Sequence, residues 1–161
     1  MDRLTFINEV KARERQLYRI ARSYLSTEAD CADAVQEALT RAWARRETLR
    51  DDTLFGTWLT RILINECKTA LRRRRRAIPM AKPPEAGQEP PPEPDAGLRN
   101  ALFNLPVKYR VPLVLSVVDG YTLREIAGLL HLPEGTVKTR VSRAKQQLRK
   151  TMTQEVSGDE C

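Results

Sequence analysis

The 161-residue chain is 41% apolar and carries 28 basic against 21 acidic residues, a formal net charge of +7. That length holds one ordinary domain or two small ones, and the surplus of positive charge suits a polyanionic partner. No run approaches the roughly 18 apolar residues of a membrane span, and the N-terminus lacks the apolar core of a secretory signal, so a cytoplasmic location is expected.

Three widely spaced cysteines, Cys31, Cys67 and Cys161, and a single histidine, His131, argue against a disulfide framework and against a zinc site. Cys31 and Cys67 are expected to pack as small apolar residues. The chain shows no carboxylate cluster, no nucleophile with a base, no phosphate loop and no metal spacing. No catalytic residue, metal or cofactor is therefore expected, and an enzyme acting on nucleic acid is disfavoured.

Nearly every segment outside residues 77–97 reads at helical period, which predicts an all-α protein. The first helix, about Leu4 to Tyr24, should turn Leu4, Ile7, Leu17, Ile20, Ala21 and Tyr24 inward. In "STEAD", Thr27 followed by Asp30 has the spacing of a capping box and should start the next helix near Glu28. That helix, to about Arg46, should bury Val35, Ala38, Leu39, Ala42 and Trp43, leaving Asp33, Gln36, Glu37, Thr40 and Arg41 outside.

After the loop "ETLRDDTLFG", the stretch "TWLTRILINECKTALRRRRR" predicts a third helix with Trp58, Leu59, Ile62, Leu63 and Leu71 facing the core. Asn65, Lys68, Thr69 and Arg72 share a polar strip on it, and it runs out into Arg72 to Arg76. Adjacent guanidinium groups repel one another, and such a run is easiest to justify where phosphates offset the repulsion. Residues 77–97, "AIPMAKPPEAGQEPPPEPDAG", hold most of the ten prolines and read as an extended, flexible linker.

Beyond it, Leu98, Leu102 and Leu105 should line a short helix. Val111, Leu113, Val114, Leu115, Val117 and Val118 make the next helix apolar nearly all round, so it must be buried or dock on a partner. "TLREIAGLLHLPEGTVKTRVSRAKQQL" has the layout of a helix-turn-helix: a helix from Thr122 to Leu130, a turn at His131 to Pro133, and a long second helix. In the second helix Val137, Val141, Ala144 and Leu148 form one narrow apolar stripe. The opposite side belongs in a major groove, with Gly135 and Thr136 allowing close approach. Lys138, Thr139, Arg140, Ser142 and Arg143 then offer hydrogen bonds to bases or phosphates.

The stretches "DAVQEALTRAW", "FGTWLTRILINECKTALRRRRR" and "NLPVKYRVPLVLSVVDGYTLREIAGLLHLPEGTVKTRVSRAKQQL", in that order, resemble the extracytoplasmic-function group of bacterial sigma factors. The resemblance implies a transcription initiation factor of two small helical domains. Residues 1–76 would be a region 2-like bundle, 77–97 the linker, 98–152 a region 4-like helix-turn-helix domain, and 153–161 a polar tail. It implies that Asp33, Gln36, Glu37 and Arg41 grip the clamp of the largest subunit of core RNA polymerase, and that the Val111 to Val118 helix meets the flap of the second-largest. The loop from Leu49 to Gly56, with Arg50 and Phe55, would hold a base flipped from the minus-ten element. Asn65, Lys68, Thr69 and Arg72 would lie along that element, and Thr136 to Arg143 would read the minus-thirty-five element. An inhibitory anti-sigma factor, often membrane-bound, is typical of the group and would hold the protein at the inner face of the membrane. The competing class is a stand-alone helix-turn-helix regulator with residues 1–76 as a sensor or dimer domain.

Overall fold

The computed structural model describes residues 1–77 and 96–158. The expected linker lies, apart from its ends, outside the described residues, as does Cys161. The chain forms two compact units, Met1–Pro84 and Glu85–Cys161, and the described residues are helices and turns without strand.

The first unit is a three-helix bundle of α1 (Arg3–Tyr24), α2 (Glu28–Ala44) and α3 (Phe55–Ala77). Asp2 caps α1, its carboxylate accepting the Thr5 N–H at 2.7 Å. Thr27 caps α2 by accepting the Asp30 N–H at 3.1 Å. The Asp30 side chain does not return the bond as a capping box would; it pairs with Arg74 on α3 and so ties the middle of the arginine run to the start of α2.

Periodicity sets which residues of α1 are buried. Leu17, Ile20, Ala21 and Tyr24 are, as expected, but Leu4 is 70% exposed and Ile7 36%, while Phe6 is buried. Counting back from Leu17, Phe6 lies eleven residues away, about three turns, whereas Leu4 falls on the far side of the helix. Phe6 packs edge-on against Trp43 and Phe55 with ring centroids 5.1 and 5.6 Å apart, joining all three helices at one end. Below this cluster the core consists of Ala34, Val35, Ala38 and Ala42 from α2 and Leu59, Leu63 and Ile64 from α3. Cys31 and Cys67 are buried with them, and burial pushes their thiols up to about 11 and about 12.

The second unit holds α4 (Ala96–Asn104), α5 (Val107–Leu113), α6 (Leu123–Leu130) and α7 (Glu134–Gly158). The short apolar helix expected here is interrupted. α5 contains Pro112, which lacks an N–H, and passes into a widened π-type turn, Val114–Val118, where Asp119 N–H donates to the Val114 carbonyl at 3.1 Å. Gly120, with φ of 73°, then reverses the chain, a conformation costly for any residue with a Cβ. Val111, Leu113, Val114 and Leu115 are consumed by the unit's own core, so only Val117 (60% exposed) and Val118 (52%) face outward.

In α4 it is Ala101 and Leu105 that are buried, while Leu98 is 43% exposed. The buried Arg110 fastens the α4–α5 connection by donating to the carbonyls of Phe103 (3.0 Å) and Leu105 (3.1 Å). α6 begins with a complete capping box: Glu125 N–H donates to the Thr122 hydroxyl and Thr122 N–H to the Glu125 carboxylate, at 3.1 and 2.8 Å. His131 closes α6 in the left-handed region (φ 55°, ψ 45°). α7 continues through residues 153–158, which sequence reasoning assigns to a tail.

Candidate nucleic-acid interface

The α6–turn–α7 segment has the expected form. Val137, Val141 and Ala144 of α7 are buried, as is Ile126 of α6, which packs on it, and Leu148 is half-buried. The stripe rotates the opposite face outward: Lys138, Thr139, Ser142 and Arg143 are exposed, and Thr136 and Arg140 half-exposed. Thr139 spends its hydroxyl proton on the Gly135 carbonyl at 3.0 Å, which leaves its oxygen as an acceptor on that face. Gly135 is exposed, and a Cβ there would meet nothing within 4 Å, so α7 can be approached closely at this point.

Two residues that sequence reasoning missed stand beside this face. Lys108 and Tyr109 of α5 border an open groove of about 370 Å³ with Gly135, Thr136, Thr139, Arg140 and Arg143. A hydrogen bond from Arg143 holds the Tyr109 phenol below its usual pKa, with Lys108 adding to the effect. The aromatic next to a lysine in "VKYR" was the available signal. It became informative only once α5 was seen to pack on α7.

On α3, residues 65, 68, 69 and 72 share one face, as their spacing requires. Asn65 and Arg72 are exposed and Lys68 and Thr69 partly so. Thr69 donates its hydroxyl to the Asn65 carbonyl at 3.0 Å. Partial burial, and then the charge of Arg72, lower the Lys68 pKa. Before α3, the loop folds as two short 3-10 turns, Arg46–Thr48 and Asp52–Leu54. Asp51 staples the second by accepting from both the N–H (3.0 Å) and the hydroxyl (2.7 Å) of Thr53, which lowers its pKa.

Arg50 is exposed on this loop. Phe55 is not available to a base: it has no exposed surface, and it packs on Phe6 and Trp58 with the Arg13 guanidinium 5.5 Å from its ring. Apolar transfer favours Phe55 in the core, so it supports the loop from beneath. Leu54, 56% exposed, is the apolar side chain the loop presents. A Cβ at Gly56 would come within 2.9 Å of Arg13 Nε, so a larger residue there would make the Arg13 side chain shift.

The outer face of α2 presents Asp33, Gln36 and Glu37, all exposed. Arg41 is held between two carboxylates, its Nε 2.6 Å from Glu66 of α3 and 3.3 Å from Glu37. Asp33, Glu37, Arg41, Glu66 and Thr69 line one mixed-charge groove of about 690 Å³ between α2 and α3, together with Arg73 and Arg74. Glu66 was not singled out in the sequence, because only the α2–α3 packing gives it a partner. Among the described residues no cluster of His, Cys, Asp or Glu could hold a metal ion, and no helix is long and apolar enough to cross a membrane.

Comparison with known proteins matches residues 10–77 to the family model for Sigma-70 region 2 and residues 96–148 to that for Sigma-70 region 4. The chain is 35% identical over 151 residues to the ECF RNA polymerase sigma factor SigM of Mycobacterium tuberculosis, covering 91% of this chain and 76% of that protein. It is 30% identical to the RNA polymerase sigma factor SigV of Bacillus subtilis, covering 88% of this chain and 87% of that one. Among solved structures, the sigma factor RpoE of Bartonella quintana, crystallised with the anti-sigma factor NepR, superposes with a TM-score of 0.76 at 25% identity, over 92% of this chain and 97% of that one.

Proposed function

Since the chain belongs to the extracytoplasmic-function group of RNA polymerase sigma factors, we propose a division of labour between its two units in promoter recognition. As a sigma factor it acts by directing core RNA polymerase to promoters and carries no reaction of its own. The first unit, residues 1–76, grips the polymerase clamp with Asp33, Gln36, Glu37 and Arg41, and engages the minus-ten element with Arg50 on the loop and Asn65, Lys68, Thr69 and Arg72 on α3. Phe55 takes part only by supporting that loop. The second unit, residues 98–152, reads the minus-thirty-five element with Thr136, Lys138, Thr139, Arg140, Ser142 and Arg143.

The polymerase flap meets this unit at Val117 and Val118, the part of that segment its own core leaves outside. Residues 77–97 connect the units. Regulation is by an anti-sigma factor, as in the complex of the Bartonella relative, and a membrane-bound one would hold the chain at the cytoplasmic face of the membrane.

The observation that carries this reading is the exposed polar face of α7. Its buried stripe fixes the rotation of the helix, and the face turned outward carries donors without a carboxylate among the side chains assigned to it. Each bidentate base contact there is worth about 1–3 kcal/mol of discrimination. To test it, the purified chain is added to bacterial core RNA polymerase on a genomic DNA library and the transcript starts are sequenced. Starts clustered behind one shared pair of promoter elements are expected. Absence of specific starts, with sequence-selective binding by the chain alone, would replace this reading with a stand-alone regulator.

A further inference from the structure

Two ion pairs of opposite polarity cross the groove between α2 and α3. In one, α2 supplies the acid, Asp30, and α3 the base, Arg74; in the other, α2 supplies the base, Arg41, and α3 the acid, Glu66. Ala34, Ala38 and Ala42 give α2 a buried face of small side chains, which lets packed helices come close enough for such pairs to form.

Asp33, Glu37 and Arg41 follow one another by single turns of α2, and all three line the groove. Arg41 therefore has two carboxylates within reach. Glu37, on its own helix, is 53% exposed and lies 3.3 Å from Nε, whereas Glu66 is only 13% exposed and lies at 2.6 Å. An exposed pair four residues apart holds its partner weakly, while a carboxylate largely withdrawn from water needs a cation beside it. Glu66 thus decides where the Arg41 side chain lies.

Among the described residues both ion pairs of Arg41 fall on Nε. A guanidinium carries four further N–H donors on its two Nη atoms, and the Arg41 side chain is 47% exposed, so these donors can meet an acceptor outside the chain. Without the Glu66 charge, Glu37 is the carboxylate left to Arg41. The two would then pair along α2, and one cation and one anion of its outer face would be neutralised together.

We propose that Glu66 is a positioning residue for polymerase binding: it draws Arg41 across the groove and so keeps the Arg41 Nη donors and the Glu37 carboxylate both available to the clamp. The surface that fits has an acceptor opposite Arg41 and cations opposite Asp33 and Glu37. The proposal rests on the reading of α2 as the clamp-gripping helix. It gives α3 a part in polymerase binding beside the one proposed for it at the minus-ten element.

The test uses the full chain and core RNA polymerase, with affinity read by titration at a temperature where circular dichroism shows every variant folded. Glu66→Gln keeps the shape and removes the charge; it is expected to weaken core binding about tenfold, and Glu66→Asp to recover most of that loss. In an Arg41→Ala background, Glu66→Gln should weaken binding no further. Exchanging the pair, Arg41→Glu with Glu66→Arg, restores the bridge but not the donors on α2. The thermal midpoint of the exchanged variant should return toward wild type while its affinity for core stays low.

If Glu66→Gln binds core like wild type while Arg41→Ala is impaired, the positioning role is wrong and the reading of α2 stands. If Arg41→Ala binds like wild type, there is no contact to position and the proposal falls; if Glu37→Lys does so too, the reading of α2 falls with it. Losses that add in the double variant, or an exchanged pair that regains affinity along with stability, would reduce the bridge to a structural brace and overturn the proposal.

Discussion

The groove between α2 and α3 and the outward face of α7 treat their cations differently. In the first, Arg41 and Arg74 are each paired with a carboxylate, from Glu37 and Glu66 and from Asp30. In the second, Lys138, Arg140 and Arg143 have no ion-pair partner among the described residues, and Arg143 instead meets a phenol. A cation already paired within the chain gains less from a phosphate, because its own partner must first be given up. Net charge therefore says little about where nucleic acid binds, and the distribution of acids around each base says more. The paired groove between α2 and α3 has the mixed character of a protein-binding surface, and the face of α7 has the one-signed character of a DNA-binding one.

The contrast can be broken most forcefully through the cores. Leu63 is fully buried in the first unit, and Leu63→Ala should destabilise that unit by about 2–5 kcal/mol. Proteolysis followed by mass spectrometry should find cuts concentrated in residues 1–77, with α5 to α7 protected. Cuts spread over both units would show that they do not fold independently.

The next effect in size is functional. Arg143→Ala should lower promoter-specific transcription by about 1–3 kcal/mol in binding terms, roughly five- to 150-fold, with affinity for core polymerase within about twofold of wild type. Run-off transcription beside a core-binding titration measures both.

The capping box supplies a smaller effect. Thr122→Ala should cost about 1 kcal/mol of stability in the second unit, read as a lower thermal midpoint for α6 and α7 with the first unit unmoved.

A pH dependence distinguishes the units as well. Cys31 and Cys67 are held protonated by burial, up to about 11 and about 12 against 9.0 for an ordinary thiol. The unfolded chain thus releases these protons first. The first unit should keep its full stability below pH 9 and lose it progressively as pH rises toward 12. Denaturation of the Cys67→Ala variant across this range should show a weaker dependence, and an unchanged one would remove the thiols as its cause.

The helices and most of their buried faces could be read from the chain because helical period is a local property. Val137, Val141 and Ala144 needed no tertiary information, and neither did the start of α2 at Thr27. What failed depended on contacts distant in sequence. Leu4 and Ile7 were expected inside because they are apolar, but the phase of α1 is set by Leu17 through Tyr24 and brings Phe6 inward. Phe55 was assigned to a base pocket, yet the aromatic cluster with Phe6 and Trp58 consumes its whole surface.

The apolar run from Val111 to Val118 was legible as buried or docking, and Pro112 with the π-type turn splits it into a core part and an exposed end. Glu66, Lys108 and Tyr109 do not stand out in the chain for a common reason: each matters through a side chain on another helix. The chain alone shows a basic residue but not whether an acid or a phenol stands beside it.

The division of labour is tested most directly by crossing two variants against two readouts. Glu37→Lys and Arg143→Ala are each assembled with core polymerase, and affinity for core and start-site-specific transcription at saturating factor are measured on the same preparations. The account predicts that Glu37→Lys weakens assembly and regains normal promoter choice once assembled, whereas Arg143→Ala assembles normally and loses promoter choice. Equal losses on both readouts for either variant would contradict it.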